Sequence, residues 1–464
     1  MGLPAHIDRA LEALGYEPRG VGTGGDDMAA HIEDWWGWYT ASASWYDRTE
    51  TSAGRKWRTR RMTLHPARRV CREWASLILD DDGTRISAPD DETADGLLSE
   101  WVAATGFLPL AQRALERGFA LGTAAIVLGF DVRDGEVVAI RPRRCDARNL
   151  IPLTWDESGI TELAVLTRIN RRGHPLDQLQ VISHDGTYRI VTRLFDDKGR
   201  EVSDDGVIDE FDTGTDAAPF AVISPALDNV FVEGTPLGQS VFADAVDAIK
   251  AVDTAWDSIQ REVEATKVKV FMTDDLLDLV DGEVLPMSPD STVIRKLAGN
   301  GSQQMLEVFA PAIRIEELRR ALDTALAELG ETTGFDKRYF AFDGTAGIRT
   351  ATEVISDNSA VWRTLRKHEV ALAPQLSGLM TCMLECSRVH MGAAIGDSPT
   401  VTIDFADSII TDTNTERQLA LSEIAAMPEV KELKRRYLVR FLGMTEDDAA
   451  AAVPDSVTVT DGGW

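Results

Sequence analysis

Two glycine-rich stretches are the places where this sequence comes closest to phosphate chemistry. Gly20, Gly22 and Gly25 fit the spacing G-x-G-x-x-G of dinucleotide-binding turns. Such a turn needs a strand before it and a helix N-terminus for the pyrophosphate. The preceding segment, EALGYEPR, does not have the pattern of a strand. Asp26 and Asp27 follow directly and would repel a pyrophosphate. We therefore interpret the first stretch as a linker.

The second stretch, AFDGTAGIRTATEVISDNS (341–359), places Gly344 and Gly347 before a threonine-rich segment. No Gly-Lys-Ser/Thr follows, so the groups that would hold the β- and γ-phosphates and magnesium are missing. Thr350 and Glu353 have the spacing of a capping box, which predicts a helix from Ala351. The preceding chain should be a flexible loop, because glycine permits many backbone conformations. It is aromatic and locally basic through Phe335, Lys337, Arg338, Tyr339, Phe340, Phe342 and Arg349, which favours transient contact over catalysis.

Catalytic and metal-binding patterns are missing elsewhere too. The seven histidines are scattered, with no HExxH and no spacing typical of a catalytic triad. The four cysteines lack zinc-site spacing and are expected to be buried, reduced thiols: Cys71, Cys145, Cys382 and Cys386. The longest apolar run, 119–130, is too short to span a bilayer, and the N-terminus does not resemble an export signal. We expect no catalytic residue, metal, cofactor or membrane partner, and synthesis in the cytosol.

Charge limits the partners of the protein. The chain carries a net charge of −28 over 464 residues, so it should not wrap nucleic acid tightly, although brief contact with DNA is compatible with an acidic wall. One basic patch stands out in RKWRTRR: Arg55, Lys56, Arg58, Arg60 and Arg61. It is a candidate contact for phosphate or for an acidic neighbour, and the alternative is a solvated face that leads into the next helix. We expect four nearby tryptophans to lie in a core or a subunit interface: Trp35, Trp36, Trp38 and Trp45.

Hydrophobic periodicity predicts an α+β chain. Helices are expected at 3–14, 28–39, 67–79 and 93–121, followed by strands from GTAAIVLGFDV to about residue 232, including 163–169, 187–194, 207–211 and 220–223. After Pro236 a heptad seam predicts a long helix: Phe242, Ala245, Ile249, Val252, Trp256, Ile259 and Val263. A second seam, opened by Pro311 and closed by Gly330, is formed by Ile315, Leu318, Leu322, Ala325 and Leu329.

The chain between and after these seams has its own pattern. KVKVFM, STVIRKL and MLEVFA predict a small β-rich insert between the two helices. An ordinary helical hairpin with its seam in a core is the alternative to an outstretched pair. A helix from Ala351 to Met391 should kink or break at Pro374, a strand should return at TVTIDFADS, and tail helices are expected at 416–426 and 430–442.

Four stretches in this order resemble the portal proteins of tailed bacteriophages, in particular those of siphophages of Gram-positive hosts. They are ARRVCREWASLILDDDGTRIS; RALERGFALGTAAIVLGF with NLIPLTWDESGITELAVLTR downstream; GTPLGQSVFADAVDAIKAVDTAWDSIQREVEATKVKVFM; and FDGTAGIRTATEVISDNSAVWRTLRKHEVAL. Their order and spacing cover most of residues 30 to 410.

The resemblance implies a portal fold and a division of the chain. The parts are a mixed α/β wing (1–235), a first stem helix (236–266), a clip (267–310), a second stem helix (311–330), a tunnel loop (331–350), a long kinked helix with a returning strand (351–405) and a helical crown (406–464). It implies DNA-proximal loop residues, namely Phe335, Lys337, Arg338, Tyr339, Phe342, Gly344, Gly347 and Arg349. It also implies subunit packing through the two stem helices by Phe242, Ile249, Val252, Trp256, Ile259, Ile315, Leu318 and Leu322.

The same resemblance implies a ring, generally dodecameric, at one capsid vertex. Its partners would be other copies of the chain, double-stranded DNA held briefly and without sequence preference, terminase, major capsid or scaffolding protein, and head-tail connector proteins. Two rival functions stay open. One is another connector or minor capsid protein, although connectors are usually much smaller. The other is a DNA-processing enzyme, which would need the phosphate loop that this sequence lacks.

Overall fold

The computed structural model describes residues 4–17, 25–52, 55–80, 83–133, 136–171, 173–204, 207–273, 293–296, 306–340, 360–405, 420–424, 430–442 and 452–453. Its helices are α1 (Ala5–Ala13), α2 (Gly25–Thr40), α3 (Pro66–Ile78), α4 (Glu92–Thr105), α5 (Phe107–Leu121), α6 (Val246–Ala265), α7 (Ile315–Thr332), α8 (Ala360–Met391) and α9 (Lys431–Leu442), and residues 420–424 are also helical. None of the helices in these ranges is long and apolar enough to cross a membrane.

Within the described ranges the strands form five sheets. They are β1 (Asp47–Ser52), β2 (Arg55–Arg60), β3 (Arg85–Ser87), β4 (Ala124–Arg133), β5 (Glu136–Asp146), β6 (Leu150–Asp156), β7 (Gly159–Arg171), β8 (His174–Asp185), β9 (Thr187–Phe195), β10 (Glu201–Val202), β11 (Glu210–Asp212), β12 (Phe220–Ile223), β13 (Lys269–Thr273), β14 (Val293–Lys296), β15 (Leu306–Phe309) and β16 (Thr402–Asp404).

The largest sheet is an antiparallel meander in the order β10-β9-β8-β7-β6, and β11 pairs with β9 beside β10. A second sheet has the order β12-β4-β5. The insert between α6 and α7 holds a third, in which β13 pairs parallel with β14 and antiparallel with β15. The strand β3 pairs with the returning strand β16, and β1 and β2 form an isolated hairpin. The mixed α+β class is therefore confirmed.

Most of the apolar core is one cluster around α3, α5 and the β12-β4-β5 sheet. Trp74, Phe107 and Phe119 are each at most 1% exposed within it. A smaller core lies where α1 places Ile7 and Leu11 against residues of the large sheet such as Leu179 and Val181. Trp35 and Trp38 are buried and Trp36 and Trp45 are partly buried, which confirms the predicted core or interface position of this tryptophan cluster.

Two expected helix boundaries need correction. The first stem helix was expected from the start of its seam, but Phe242 precedes α6, which begins at Val246 after a 3₁₀ turn. Gly330 does not end α7, which continues to Thr332. At Pro374 a kink or a break is expected; the helix is not broken and runs on to Met391 as predicted, and the kink stays a prediction. Proline removes one backbone hydrogen bond, and Leu372, Leu376 and Leu379, at most 5% exposed, hold both flanking turns in the core.

Candidate functional site

The helix pair α6 and α7 carries the insert, and the two helices pack against each other. Five of the eight residues assigned to stem packing have exposed fractions of 0 to 7%: Phe242, Ile249, Val252, Ile259 and Leu322. Their apolar surface is covered within one chain, and their packing against another subunit stays a prediction. Trp256, Ile315 and Leu318 are only partly buried, so these three keep surface for a further contact.

An ion pair closes the end of this helix pair next to the insert. Arg314, directly before α7, donates from Nε and Nη2 to the two carboxylate oxygens of Glu262 on α6, at 3.1 and 2.9 Å. The hydrogen bonds from Arg314 lower the pKa of the Glu262 carboxyl and raise the pKa of the guanidinium. Because the pairing is bidentate, it fixes the orientation of the two chain segments where the insert begins and ends.

Two carboxylates on α6 bind the chain that leads away from the β1–β2 hairpin. Asp253 is fully buried and accepts hydrogen bonds at 2.8 Å each from Tyr46 Oη, Thr63 Oγ1 and the Leu64 backbone N–H. Asp257 accepts from the Met62 backbone N–H at 3.0 Å. Burial raises the pKa of Asp253, and these donors oppose that rise. We call this set the hairpin lock; it comprises Asp253, Asp257, Tyr46, Met62, Thr63 and Leu64.

Asp257 also connects α6 to the hairpin itself. It accepts from Arg261 Nε at 2.6 Å, and Arg261 Nη1 donates to Glu50 on β1, also at 2.6 Å. These hydrogen bonds lower the pKa of Glu50 and raise the pKa of Arg261. The hairpin and the helix that carries the insert are therefore joined by a continuous polar network.

The basic patch of the sequence lies on and directly after the second strand of this hairpin. Some of its side chains pack on aromatic rings and others are exposed. Arg60 donates to the Ala41 carbonyl and lies 5.6 Å from the Tyr46 ring centroid, while Arg61 donates to the Trp45 carbonyl and lies 4.3 Å from the Trp45 ring centroid. Lys56 and Arg58 are exposed, and Trp57 between them is 43% exposed. Arg55 is the first residue of β2. The patch lies on the second strand of the hairpin and directly after it, and α3 begins at Pro66, so the alternative of a solvated face that leads into the next helix stays open.

The segment after α7 is held by aromatic packing. Phe335 is 2% exposed and stacks on Trp74 of α3, with ring centroids 4.2 Å apart. Trp74 Nε1 donates to the Thr333 carbonyl at 3.0 Å, and Tyr339 Oη donates to Glu73 at 2.9 Å. Phe340 is 1% exposed. We call Trp74, Phe335, Tyr339 and Phe340 the aromatic anchor, because they fix the chain directly before residue 341.

Gly334 makes this anchor possible. Its φ is +85°, and a Cβ there would lie 3.0 Å from Thr364 Cγ2 and 3.3 Å from the Trp74 ring. A side chain would therefore be strained by the backbone conformation and would press on the ring that receives Phe335. Phe335 and Phe340, which the sequence places in a flexible loop, both belong to the core, and the DNA-proximal role assigned to Phe335 stays a prediction.

Only the charged residues of the described part of the loop are exposed. Lys337 Nζ lies 3.1 Å from Glu331 Oε2, and the two side chains are 64% and 61% exposed. The Arg338 backbone N–H donates to Asp336 at 2.9 Å, and the Arg338 side chain is exposed. Phe342, Gly344, Gly347 and Arg349, with the predicted cap of Thr350 and Glu353, lie outside the described residues.

Titratable groups elsewhere have structural surroundings. All four cysteines are buried and free, as predicted, and burial raises the pKa of the Cys145 thiol to about 12. Burial lowers the pKa of His368 to about 4, and its Nδ1 accepts from the Ala226 N–H at 3.0 Å. Over the described ranges, no three His, Cys, Asp or Glu side chains converge as a metal site would require. Nucleophiles buried and protonated in this way are inert.

Comparison with known proteins gives the family. A family profile described as "Phage portal protein, SPP1 Gp6-like" matches residues 37–431. Two solved structures are similar at low level, "Neck of native GTA particle computed with C12 symmetry" and "Neck of empty GTA particle computed with C6 symmetry". Each is 12% identical with a TM-score of 0.37, and the match covers 84% of this chain and 88% of the other. Among curated proteins none gives a significant match. Because the profile spans most of the chain, the protein belongs to the SPP1 Gp6-like family of phage portal proteins.

Proposed function

We propose that this protein forms a closed, dodecameric ring at one vertex of a phage capsid and serves as the channel for double-stranded DNA during packaging and ejection. Membership of the portal family over residues 37–431 carries the proposal. The pair of α6 and α7 with a strand-containing insert between them agrees with a stem and a clip. The phage would be of siphophage type with a Gram-positive host, assembled in the host cytoplasm.

The proposed division follows the elements. Residues 1–235 form the wing, α6 and α7 the stem, 267–310 the clip and 406–464 the crown. The clip docks terminase during packaging and head-tail connector proteins afterwards, and capsid or scaffolding protein contacts the ring during head assembly. The bidentate pair of Arg314 and Glu262 supports this division, because it ties the two helices together where the insert starts.

In this proposal, the charged residues of the tunnel loop contact DNA. Phe335 lies in the core, so Lys337, Arg338 and Arg349 are the loop residues left for contact with the phosphate backbone. The exposed pair between Lys337 and Glu331 is weak, so it can open when a phosphate approaches. A few cations in a chain of net charge −28 give contact without strong retention, which a sliding polymer needs.

Ring formation is tested directly by electron microscopy and native mass spectrometry of the purified full chain at virion-like salt. We expect closed rings with a central opening. The partly exposed stem residue Trp256 supplies a sharper variant, because Trp256→Ala should reduce the ring fraction while leaving the buried seam intact. Monomers alone from the unmodified protein would contradict the proposal.

The DNA contact is tested separately with Lys337→Glu combined with Arg338→Glu. Rings should still form, since both side chains are exposed, but the packaging rate or the amount of DNA packaged should fall. A matched control reverses two exposed wing charges, Arg113→Glu with Lys198→Glu, and should package normally. Normal packaging by the loop variant would show that these residues do not contact DNA, whatever the outcome for the ring.

A further inference from the structure

A polar cavity of about 430 Å³ lies between the β4–β5 hairpin and one face of the large sheet. This volume is within the range of sites that hold small ligands or short peptide segments. Its walls come from β4, β5, β7, β8, β9 and β11, so residues distant in sequence converge on it. None of the roles assigned above uses this cavity.

The floor of the cavity is uncharged and polar. Gln178 and Gln180 lie on β8, and Thr192 on β9 is the register partner of Gln180. Gln178 is 8% exposed and Thr192 is 4% exposed. The side chains of these three residues make no hydrogen bond to any part of the chain that the structure describes. Their amide and hydroxyl groups therefore offer hydrogen-bond donors and acceptors to an occupant of the cavity.

The rim of the cavity is positively charged. Arg133, Arg143 and Arg171 line it from three different strands, and Asp131 is the one lining carboxylate among the described residues. Asp131 is itself paired with Arg141 at 2.7 Å, whereas neither Arg133 nor Arg143 has a carboxylate partner within the described ranges. Two unpaired guanidinium groups at one cavity are unexpected in a chain with 76 acidic and 48 basic residues.

Gly129 allows one of these guanidinium groups to cross β4. A Cβ at this position would lie 2.7 Å from Arg143 Nε and 2.9 Å from Arg143 Cζ. The Arg143 side chain therefore lies directly on the glycine backbone, in the cavity wall. Beside it, Phe130 and Phe211 stack with ring centroids 4.5 Å apart and give the cavity an apolar side.

We propose that this cavity binds a carboxylate-bearing ligand. The unpaired guanidinium groups would take the carboxylate in the bidentate manner that suits their planar shape. The amides of Gln178 and Gln180 and the hydroxyl of Thr192 would bind its polar atoms, and the Phe130–Phe211 pair would cover its hydrocarbon part. Such a group can come from a small dicarboxylate or tricarboxylate, or from an acidic segment of a protein.

The test is calorimetric titration of the full-length protein at constant ionic strength with three probes: citrate, a hexaglutamate peptide and inorganic phosphate. We expect saturable binding of citrate or of the peptide. Binding of citrate alone assigns a small-molecule ligand, and tighter binding of the peptide assigns an acidic protein segment. Arg143→Gln should weaken binding by about tenfold or more, the order expected for loss of a charge-assisted hydrogen bond.

Two further variants keep the test decisive. Gly129→Ala retains every charge but displaces the Arg143 guanidinium, so it should weaken binding in the same direction. Arg144→Gln removes the same charge from the next residue of β5, which lines a different cavity, and should change the affinity less than about twofold. The proposal is overturned if neither carboxylate probe binds, if phosphate binds more tightly than both, or if Arg143→Gln and Arg144→Gln have equal effects.

Discussion

The hairpin lock and the aromatic anchor hold two peripheral segments by opposite means. The lock fixes the chain after β1–β2 through buried carboxylates that accept hydrogen bonds from backbone and hydroxyl groups. The anchor fixes the chain before residue 341 mainly by stacking Phe335 on Trp74. Hydrogen bonds depend on direction and protonation, whereas apolar stacking depends on volume and area.

Because of this difference, we expect the attachments of the two segments to respond differently to salt and pH. A segment held mainly by apolar packing should depend little on salt or pH, because its central contact, Phe335 on Trp74, carries no charge. A segment held by buried carboxylates is fixed in its orientation, because hydrogen bonds are directional. The strength of its attachment changes with pH, because the carboxylates titrate. The base of the proposed tunnel loop should therefore depend less on charge than the attachment of the basic hairpin, which is held by a network that titrates.

The largest effect is expected at the anchor. Phe335→Ala removes a buried ring from its stack on Trp74, so the free energy of unfolding should fall by about 3–5 kcal/mol. Urea unfolding followed by tryptophan fluorescence measures this change. Val370→Ala on α8 is the control, because Val370 is 73% exposed and its truncation should change stability by less than about 0.5 kcal/mol. A loss below about 1 kcal/mol for Phe335→Ala would mean that packing at this ring does not hold the segment.

A smaller and more local effect is expected at the lock. Asp253→Ala leaves the Leu64 N–H and two hydroxyl groups without their acceptor, which should cost roughly 2–3 kcal/mol. Trypsin should also cut the hairpin at Lys56 or Arg58 faster than in the unmodified protein, while Phe335→Ala should not change these cuts. The control is Asp247→Ala, whose side chain on the same helix is 96% exposed and pairs with Lys250. Equal cutting of both aspartate variants would rule out the lock as the hairpin's attachment.

The regular elements were predictable because their signals are local. Alternation in GTAAIVLGFDV and GEVVAIRPR gave β4 and β5, and the heptad spacing after Pro236 gave α6 and α7. Each pattern is complete within one segment, since period and turn residues lie a few positions apart. The exact start of α6 was not predictable, because Phe242 continues the apolar spacing although it lies before the helix.

The attachments could not be predicted because their partners are distant in sequence. Asp253 lies 189 residues from Leu64, and Trp74 lies 259 residues from Thr333. Nothing near Asp253 distinguishes it from the exposed Asp247 on the same helix. The hairpin was missed for another reason: its two strands lack alternating apolar residues, since a two-stranded ribbon outside a larger sheet has little to bury. The sequence thus indicated the charged residues proposed for the site, whose role stays a prediction, and not the contacts that position them.

The third effect is a pair of opposite pH dependences within α6. The folded pKa of Asp253 is raised above its usual 3.8, so its stabilising contribution is greatest below 3.8 and is lost as pH rises through the folded value. The folded pKa of Glu262 is lowered below 4.5, so its contribution is present above 4.5 and is lost as pH falls.

Thermal melting between pH 7 and pH 4 measures these dependences. As pH falls, the melting-temperature advantage of the unmodified protein over Asp253→Asn should grow, and its advantage over Glu262→Gln should shrink. Parallel curves for the two variants would contradict the distinction between a buried carboxylate and one paired with Arg314.

The smallest effect on stability is expected from the charges that the hairpin displays. Lys56→Glu combined with Arg58→Glu reverses the charges of two exposed side chains. Two further arginines of the patch, Arg60 and Arg61, pack on aromatic rings. The hairpin itself is attached through Asp253 and Asp257, which bind residues 62–64. Because the attachment does not use Lys56 or Arg58, the free energy of unfolding should change by no more than about 0.5 kcal/mol. If this patch contacts phosphate or an acidic neighbour, the variant should instead weaken the salt dependence of head assembly or DNA packaging. A stability loss above about 1 kcal/mol would mean that the displayed charges also hold the hairpin, and the separation between attachment and contact surface would fail.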